Sequence, residues 1–482
     1  MDAILSTALA AAPSLTFLKP AEVNSPSTYS HLPGSGADQQ ATGKIVQEML
    51  SRLESGREEE CMRMAQKFDK WTKPTVEMTA EDIRRCTAAL PEQTKADIQF
   101  QHDRVRDFAL KQVASIKGFA TELYPGVSTG QRVVPVECAG CYVPGGHFSH
   151  VSSAIMSVTT AKASGVKTVV ACSPPFSDTQ LIHPATLYAL SYAGADRILC
   201  LGGVHGIAAL AYGLFTGIEA DILVGPGNKW VAEAKRILFG RVGIDMIAGP
   251  TEIAILADDS ADPLIVAYDL LSQAEHGLTS PTWLITTSRR VGEQVIKLMP
   301  ALIDDLIERD PTSTSKVSWR DFGEVVLVAN RDEMVALSDL YAAEHLEVHC
   351  QDLDWFLSKL RNYGSLFLGE ETCVPYGDKC TGPNHILPTR RVARYSGGLS
   401  ADKFLKKLTW QKMTRAANKD MGVRASRISR IEGMEGHALS GDARLAKYFP
   451  NDTFDLLSHP QRIASVQRIR DDFEKSQKKS KL

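Results

Sequence analysis

From about residue 138 to residue 370 the chain alternates short apolar, β-branched runs with helical stretches, and this alternation narrows the fold more than any other feature. The runs "KTVVACSPP", "DRILCLGG", "ADILVGPG", "TEIAILAD", "TWLITTS", "EVVLVAN" and "GSLFLGEE" read as buried strands. Between them "SSAIMSVTTAKASG", "GIAALAYG", "KWVAEAKRILFG", "PLIVAYDLLSQAEH" and "EMVALSDLYAAEH" carry helical periodicity. Strand and helix taken in turn predict α/β units on parallel sheets. Residues from about Gly43 to Lys117 are helical and charged, the region after Ser400 is helical and charged again, and no short-period repeat is present. These shifts place a flexible N-terminal arm at 1–42 and a first α/β domain with N-terminal helices at 43–137 and 240–399. A second α/β domain falls at 138–239, a helical C-terminal segment at 400–470 and a basic tail at 471–482.

A chain of 482 residues is long enough for two to four domains, and its net charge of -3 argues against a phosphate-binding surface for nucleic acid. Nine scattered cysteines show no disulfide framework, which fits a reducing compartment. The one CxxC pair, Cys138 and Cys141 in "ECAGCYVPGG", is followed by glycines and a proline instead of a redox helix, so it reads as buried structural thiols ahead of a reactive or zinc-binding pair. No apolar run is long enough to span a bilayer, and the start has no basic residue ahead of its apolar part, as a signal peptide would. The chain ends Ser480, Lys481, Leu482, the peroxisomal address if the source is eukaryotic; otherwise a cytoplasmic protein is expected.

Chemistry-bearing side chains gather at five places. In "LVGPGNKWVAEAKR" the residues Gly225, Pro226, Gly227 and Asn228 form a strand-to-helix turn suited to phosphate oxygens, although Trp230 stands where a third glycine would complete a dinucleotide fingerprint. "DLLSQAEHG" ends a helix with Gln273 and His276 three apart on one face. Glu344 and His345 adjoin in "AAEHLEV", Asp378 and His385 lie in "YGDKCTGPNHILPT", and Glu432 and His437 in "RIEGMEGHALSG". Neither a HExxH helix nor paired CxxC motifs are present. Taken by residue type alone, these clusters predict a divalent metal on nitrogen and oxygen ligands, with carboxylate and imidazole left for proton transfer.

The ordered motifs "YVPGG", "GPGNKWVAEAKR", "IDMIAGPTEI", "DLLSQAEHG", "AAEHLEV", "GPNHILPT" and "EGMEGH", spread over some three hundred residues, resemble the histidinol dehydrogenase family. The resemblance implies two incomplete Rossmann-like domains with parallel sheets in an intertwined homodimer. It also implies zinc- and NAD-dependent oxidation of a primary alcohol through an aldehyde to a carboxylate, without a membrane partner. Its zinc ligands match Gln273, His276, Asp378 and His437, and its acid–base pair matches Glu344 and His345. Substrate contacts match Thr251, His385 and Glu432 beside the ligand residues and His345; dinucleotide contacts match Tyr142, His205 and Asn228. The C-terminal segment bearing Glu432 and His437 would complete the partner's site. The chain departs from the histidine-pathway pattern at His205, where the family has Gln, at Thr251, where it has Ser, and in adding His147 and His150. "ARYSGGLSADKFLKKLTWQKM" and "VGIDMIAGPTEI" look more like the branch that oxidises dihydroxypropane sulfonate. L-Histidinol, a dihydroxypropane sulfonate and a specialised-metabolism amino alcohol therefore all stand as substrates, with a zinc hydrolase and a catalytically silent scaffold as the alternative readings.

Overall fold

The computed structural model describes residues 10–22, 37–145, 149–176, 179–247, 249–457, 468–469, 471–473 and 475–476. They fall into two compact units, one of Met1–Ser115 with Pro135–Leu405, the other of Ile116–Val134 with Lys406–Leu482. His147 and the terminal Ser480-Lys481-Leu482 lie outside the described residues.

The first unit opens with strand β1 (Thr16–Lys19) and helices α1 (Ala37–Phe68), α2 (Ala80–Thr87) and α3 (Glu92–Ser115). A hairpin of β2 (Phe119–Tyr124) and β3 (Val127–Pro135) belongs mainly to the second unit. The chain then runs through β4 (Cys138–Tyr142), α4 (Val151–Ala163), β5 (Thr168–Ser173), α5 (Pro184–Tyr192), β6 (Arg197–Cys200), α6 (Gly203–Tyr212), β7 (Ile222–Val224), α7 (Lys229–Leu238) and β8 (Gly243–Ile244). A second alternating run is β9 (Ile253–Ala257), α8 (Pro263–Ala274), β10 (Thr282–Thr286), α9 (Arg289–Arg309), α10 (Ser315–Phe322), β11 (Gly323–Leu327), α11 (Arg331–Tyr341), β12 (His345–His349), α12 (Leu353–Lys359) and β13 (Ser365–Leu368). A short α13 (Val374–Tyr376) leads into a π turn at Gly377–Thr381, and β14 (Leu405–Met413), α14 (Arg415–Ile431) and α15 (Glu435–Tyr448) follow.

Two parallel sheets carry the first unit, as the alternation predicts. The five-stranded sheet has the order β6-β5-β4-β7-β8, all parallel. The six-stranded sheet has the order β1-β11-β10-β9-β12-β13 and is parallel except for β1. Their central strands are closed to water along their length, which is why "VVACS" and "IAILA" read as unbroken apolar runs.

Three boundaries differ from the sequence expectation. Residues 10–22 are not an arm outside the body: β1 pairs antiparallel with β11, Phe17 opposite Val326. The N-terminal helices join the five-stranded sheet's core instead of the 240–399 region, because the apolar stripe of α1 (Val46, Leu50, Leu53) is buried there and α3 packs on α4. The C-terminal piece is not purely helical. Strand β14 completes a three-stranded sheet of order β14-β3-β2, and only then does the α14–α15 pair begin. In that pair Leu445 lies where a side chain at Gly422 would be, and Ser426 Oγ donates to the Ala438 carbonyl at 3.1 Å.

All nine cysteines are free. Cys138 and Cys141 are buried in β4 as expected, and burial pushes the Cys138 thiol up to about 11 and Cys141 higher still. Among the described residues no helix is long and apolar enough to cross a membrane.

Candidate active site

Six of the expected residues, Thr251, Gln273, Glu344, His345, Asp378 and His385, are linked by contacts around the starts of β9 and β12. A left-handed residue, Ala342 (φ 50), ends α11, and the chain turns at once into Glu344 and His345 at the mouth of β12. Both side chains are buried. Glu344 Oε2 accepts from Thr251 Oγ1 at 2.5 Å and from the Glu252 amide at 3.0 Å, just ahead of β9. Burial raises its carboxyl above the ordinary range, with His345 and these two donors pulling the other way.

Thr251 also settles which way Gln273 faces. Its single hydroxyl proton goes to the carboxylate, so its oxygen accepts from Gln273 Nε2. The amide oxygen Oε1 must then face the other side, where it is buried without a hydrogen-bond partner. His345 is oriented by similar logic. Its Nδ1 sits 3.1 Å from the Glu252 carbonyl, which only an N–H can satisfy, so Nε2 carries the lone pair. That Nε2 is buried, unpartnered and 3.9 Å from Asp378 Oδ1.

Asp378 lies in the π turn, a distortion that re-aims side chains inside helical backbone. Gln101 of α3 holds its carbonyl at 2.9 Å. His385 follows seven residues on, Nδ1 4.0 Å from Asp378 Oδ1 and Nε2 3.1 Å from Ser153 Oγ at the start of α4. Burial lowers the His385 imidazole to about 4. His276 stands just beyond α8, its edge open to solvent, while the protein around the ring lowers its pKa and Asp378 partly offsets that. Glu432 and His437 are exposed residues of the second unit, at the end of α14 and in the first turn of α15.

The fit to a zinc ion rests on an orphaned donor. A buried amide oxygen with no partner, a half-buried carboxylate and an imidazole held neutral make a nitrogen–oxygen set suited to a divalent metal.

The dinucleotide candidates surround a different edge. In the five-stranded sheet the chain runs β4, β5, β6 to one side, then crosses to β7 on the other, so the strand order reverses between β4 and β7. In open α/β sheets that crevice, beyond the carboxyl ends of the strands, is the usual ligand site. Tyr142 ends β4 and the Gly225–Asn228 turn follows β7. A side chain at Gly225 (φ 119) would sit 1.9 Å from the Tyr142 carbonyl, so this approach of two strand ends requires glycine. Buried Lys235 clamps the turn, pairing with Asp245 and donating to the Gly225 carbonyl at 2.9 Å. Asn228 caps α7 through the Trp230 and Val231 amides. Tyr142 and His205 are both buried in protein contacts: the Tyr142 hydroxyl accepts from the Gly203 amide at 3.2 Å, and His205 Nε2 lies 2.7 Å from Asp69 Oδ2.

Sequence reasoning passed over Asp69, Gln101, Ser153 and Glu252. All four act through long-range contacts, for which a single sequence carries no signal.

Comparison with known proteins adds to this geometry. A family model described as histidinol dehydrogenase matches residues 33–445. The chain is 52% identical over 425 residues to the sulfopropanediol 3-dehydrogenase of Ruegeria pomeroyi, covering 88% of this chain and 97% of that one. It is 40% identical over 365 residues to the histidinol dehydrogenase of Cereibacter sphaeroides, covering 76% and 82%. A crystal structure of histidinol dehydrogenase from Elizabethkingia anophelis superposes with a TM-score of 0.80 at 29% identity, covering 89% of this chain and 98% of that one.

Proposed function

The chain belongs to the histidinol dehydrogenase family, and from that premise we propose that it is a zinc- and NAD-dependent oxidoreductase acting on a primary alcohol. The alcohol would pass through an aldehyde to a carboxylate, consuming two NAD and one water and releasing two NADH and three protons. The observation that carries this reading is the set of buried, unpartnered atoms Gln273 Oε1, His345 Nε2 and His385 Nδ1, the last two within 4.0 Å of Asp378 Oδ1.

Each role follows from the bonds a residue already makes. With Nδ1–H fixed on the Glu252 carbonyl, His345 would accept the hydroxyl proton at Nε2 while hydride leaves for the nicotinamide. Glu344 would then activate water on the aldehyde, and the hydrate would lose the second hydride. Both donors to Glu344 fall on Oε2, leaving Oε1 for that water. Gln273, His276 and Asp378, with His437 of the partner subunit in a homodimer, would hold the zinc. When bound, it would supply Lewis-acid polarisation of the substrate oxygen. His385, kept neutral by burial, would contact substrate with Glu432 of the partner subunit. NAD would lie at the β4–β7 crevice.

Between the two candidate alcohols, the sulfonated diol is favoured by 52% identity to a sulfopropanediol dehydrogenase against 40% to a histidinol dehydrogenase. The relatives named above are bacterial, and nothing supports the peroxisomal address. The test is purified, zinc-loaded protein with NAD and either 2,3-dihydroxypropane-1-sulfonate or L-histidinol, counting NADH per alcohol consumed. Two NADH from the sulfonate is the expected result; no NADH from either alcohol would sink the proposal.

A further inference from the structure

One step farther along the same two elements lies a second polar cluster that the proposed reaction leaves unused. On β12, His345, Glu347 and His349 alternate onto one face, and on α8 Asp269 precedes Gln273 by one turn. Asp269, Glu347 and His349 each present a ligand-type atom within 4.8 Å of the other two. His349 and Glu347 side chains are closed to water, at 0% and 1% exposure, and Asp269 is nearly so at 13%.

The spacing within the cluster is informative. His349 Nε2 lies 3.4 Å from Glu347 Oε2 and 3.6 Å from Asp269 Oδ2. A charge-assisted bond between imidazole and carboxylate would close to about 2.7–2.9 Å. Two ligands that share a tetrahedral cation at about 2.1 Å stand about 3.4 Å apart instead. Asp269 Oδ2, the oxygen turned toward the imidazole, has no hydrogen-bond partner. Glu347 is held from behind, its Oε1 accepting from the Val374 amide at 2.9 Å, so that Oε2 faces the cluster. Among the described residues, the ion pairs of both carboxylates are with His349 alone. His349 Nδ1 has no partner either, so a second proton on this ring would strand an N–H in the core. Burial, and then the charge and side-chain hydrogen bond of the neighbouring Glu347, hold the Asp269 carboxyl well above its ordinary range.

We propose that Asp269, Glu347 and His349 form a second, structural site for a divalent transition cation, zinc by its mixed carboxylate–imidazole ligands. The cation ties α8 to β12, the elements that position Gln273 and His345. This inference does not depend on the reaction assigned above, since a two-metal protein that oxidised nothing would still satisfy it.

The experiment measures zinc per chain by mass spectrometry on full-length protein equilibrated with buffered Zn2+, and melting temperature with and without Zn2+. Wild type is expected to hold two equivalents, and His276→Ala/Asp378→Ala, emptied at the catalytic cluster, to keep one and still gain melting temperature from Zn2+. Adding Glu347→Gln or, separately, Asp269→Asn to that background should remove the last equivalent and the thermal gain together; each changes one atom, so one folding failure leaves the other to report. Zinc content that falls to zero in the double variant would overturn the proposal. So would two equivalents surviving in Glu347→Gln, which would leave a proton shared between the acids as the balancing charge.

Discussion

The hydroxyl of Thr251 joins the two halves of the proposed chemistry, and removing it isolates what that link contributes. Thr251→Val keeps the side-chain shape and deletes one oxygen. It takes a 2.5 Å bond away from the buried Glu344 carboxylate and strands the Gln273 amide that had donated to it. A hydrogen bond to a charged group is worth about 1.5–3 kcal/mol, which at about 1.4 kcal/mol per decade is roughly 10- to 150-fold in rate. The loss falls on the ionised form of Glu344, whose carboxyl burial already holds high, so the acid limb of the pH–rate profile for supplied aldehyde should move to higher pH. Zinc affinity should fall as well, because the freed amide no longer has to present its oxygen. Thr251→Ser, which retains the hydroxyl, should stay within a few-fold of wild type. The assay is NADH formation from aldehyde and from alcohol across pH, with zinc content measured on the same samples. If Thr251→Val oxidised aldehyde at close to the wild-type rate with the acid limb unmoved, Glu344 would not be the group that activates water.

Lys235→Met leaves Asp245 charged, fully buried and without its cation, and should cost about 3–5 kcal/mol in urea unfolding; a loss below about 1 kcal/mol would mean that the Gly225 and Met246 amides suffice for that carboxylate. His385 has a folded-state pKa of about 4 against an ordinary 6.5, so the unfolded chain takes up its proton first as pH falls. Its contribution is intact above about pH 6.5 and lost progressively toward pH 4, about 3 kcal/mol in all at 1.36 kcal/mol per unit. Metal-free His385→Gln should flatten that part of the stability–pH curve, and an unchanged slope would show that the loss arises elsewhere.

How far the sequence exposed the architecture depended on which side chains water could reach. Strands buried on both faces were plain as apolar runs, and β9, β10 and β11 appear where "TEIAILAD", "TWLITTS" and "EVVLVAN" put them. Strand β12 escaped notice because "HLEVH" turns three polar side chains to one face and only Leu346 and Val348 to the other, a pattern that normally marks a half-wet strand. Here the polar face is buried too, and His345 on it is the proposed proton acceptor. The proposed catalytic pair lies at the amino end of β12, whereas ligands of parallel sheets usually lie at the carboxyl ends, where Tyr142 and Gly225 stand in the five-stranded sheet. Gln273, Glu344 and His345, singled out by residue type, and Thr251, matched through the family resemblance, meet in the fold. Gln101 reaching Asp378 and Asp69 reaching His205 join segments more than a hundred residues apart, and only packing discloses such pairs.

The four residues of β1 do a job out of proportion to their length. Laid antiparallel on β11, they occupy backbone amides and carbonyls that would otherwise line an open rim of the six-stranded sheet. A polypeptide trimmed at its front to begin at the first long helix would keep every side chain of the candidate site, yet offer its neighbours an uncovered ribbon onto which a foreign strand can zip. Clumping of such a shortened protein would then be a matter of lost insulation, with the active centre itself untouched.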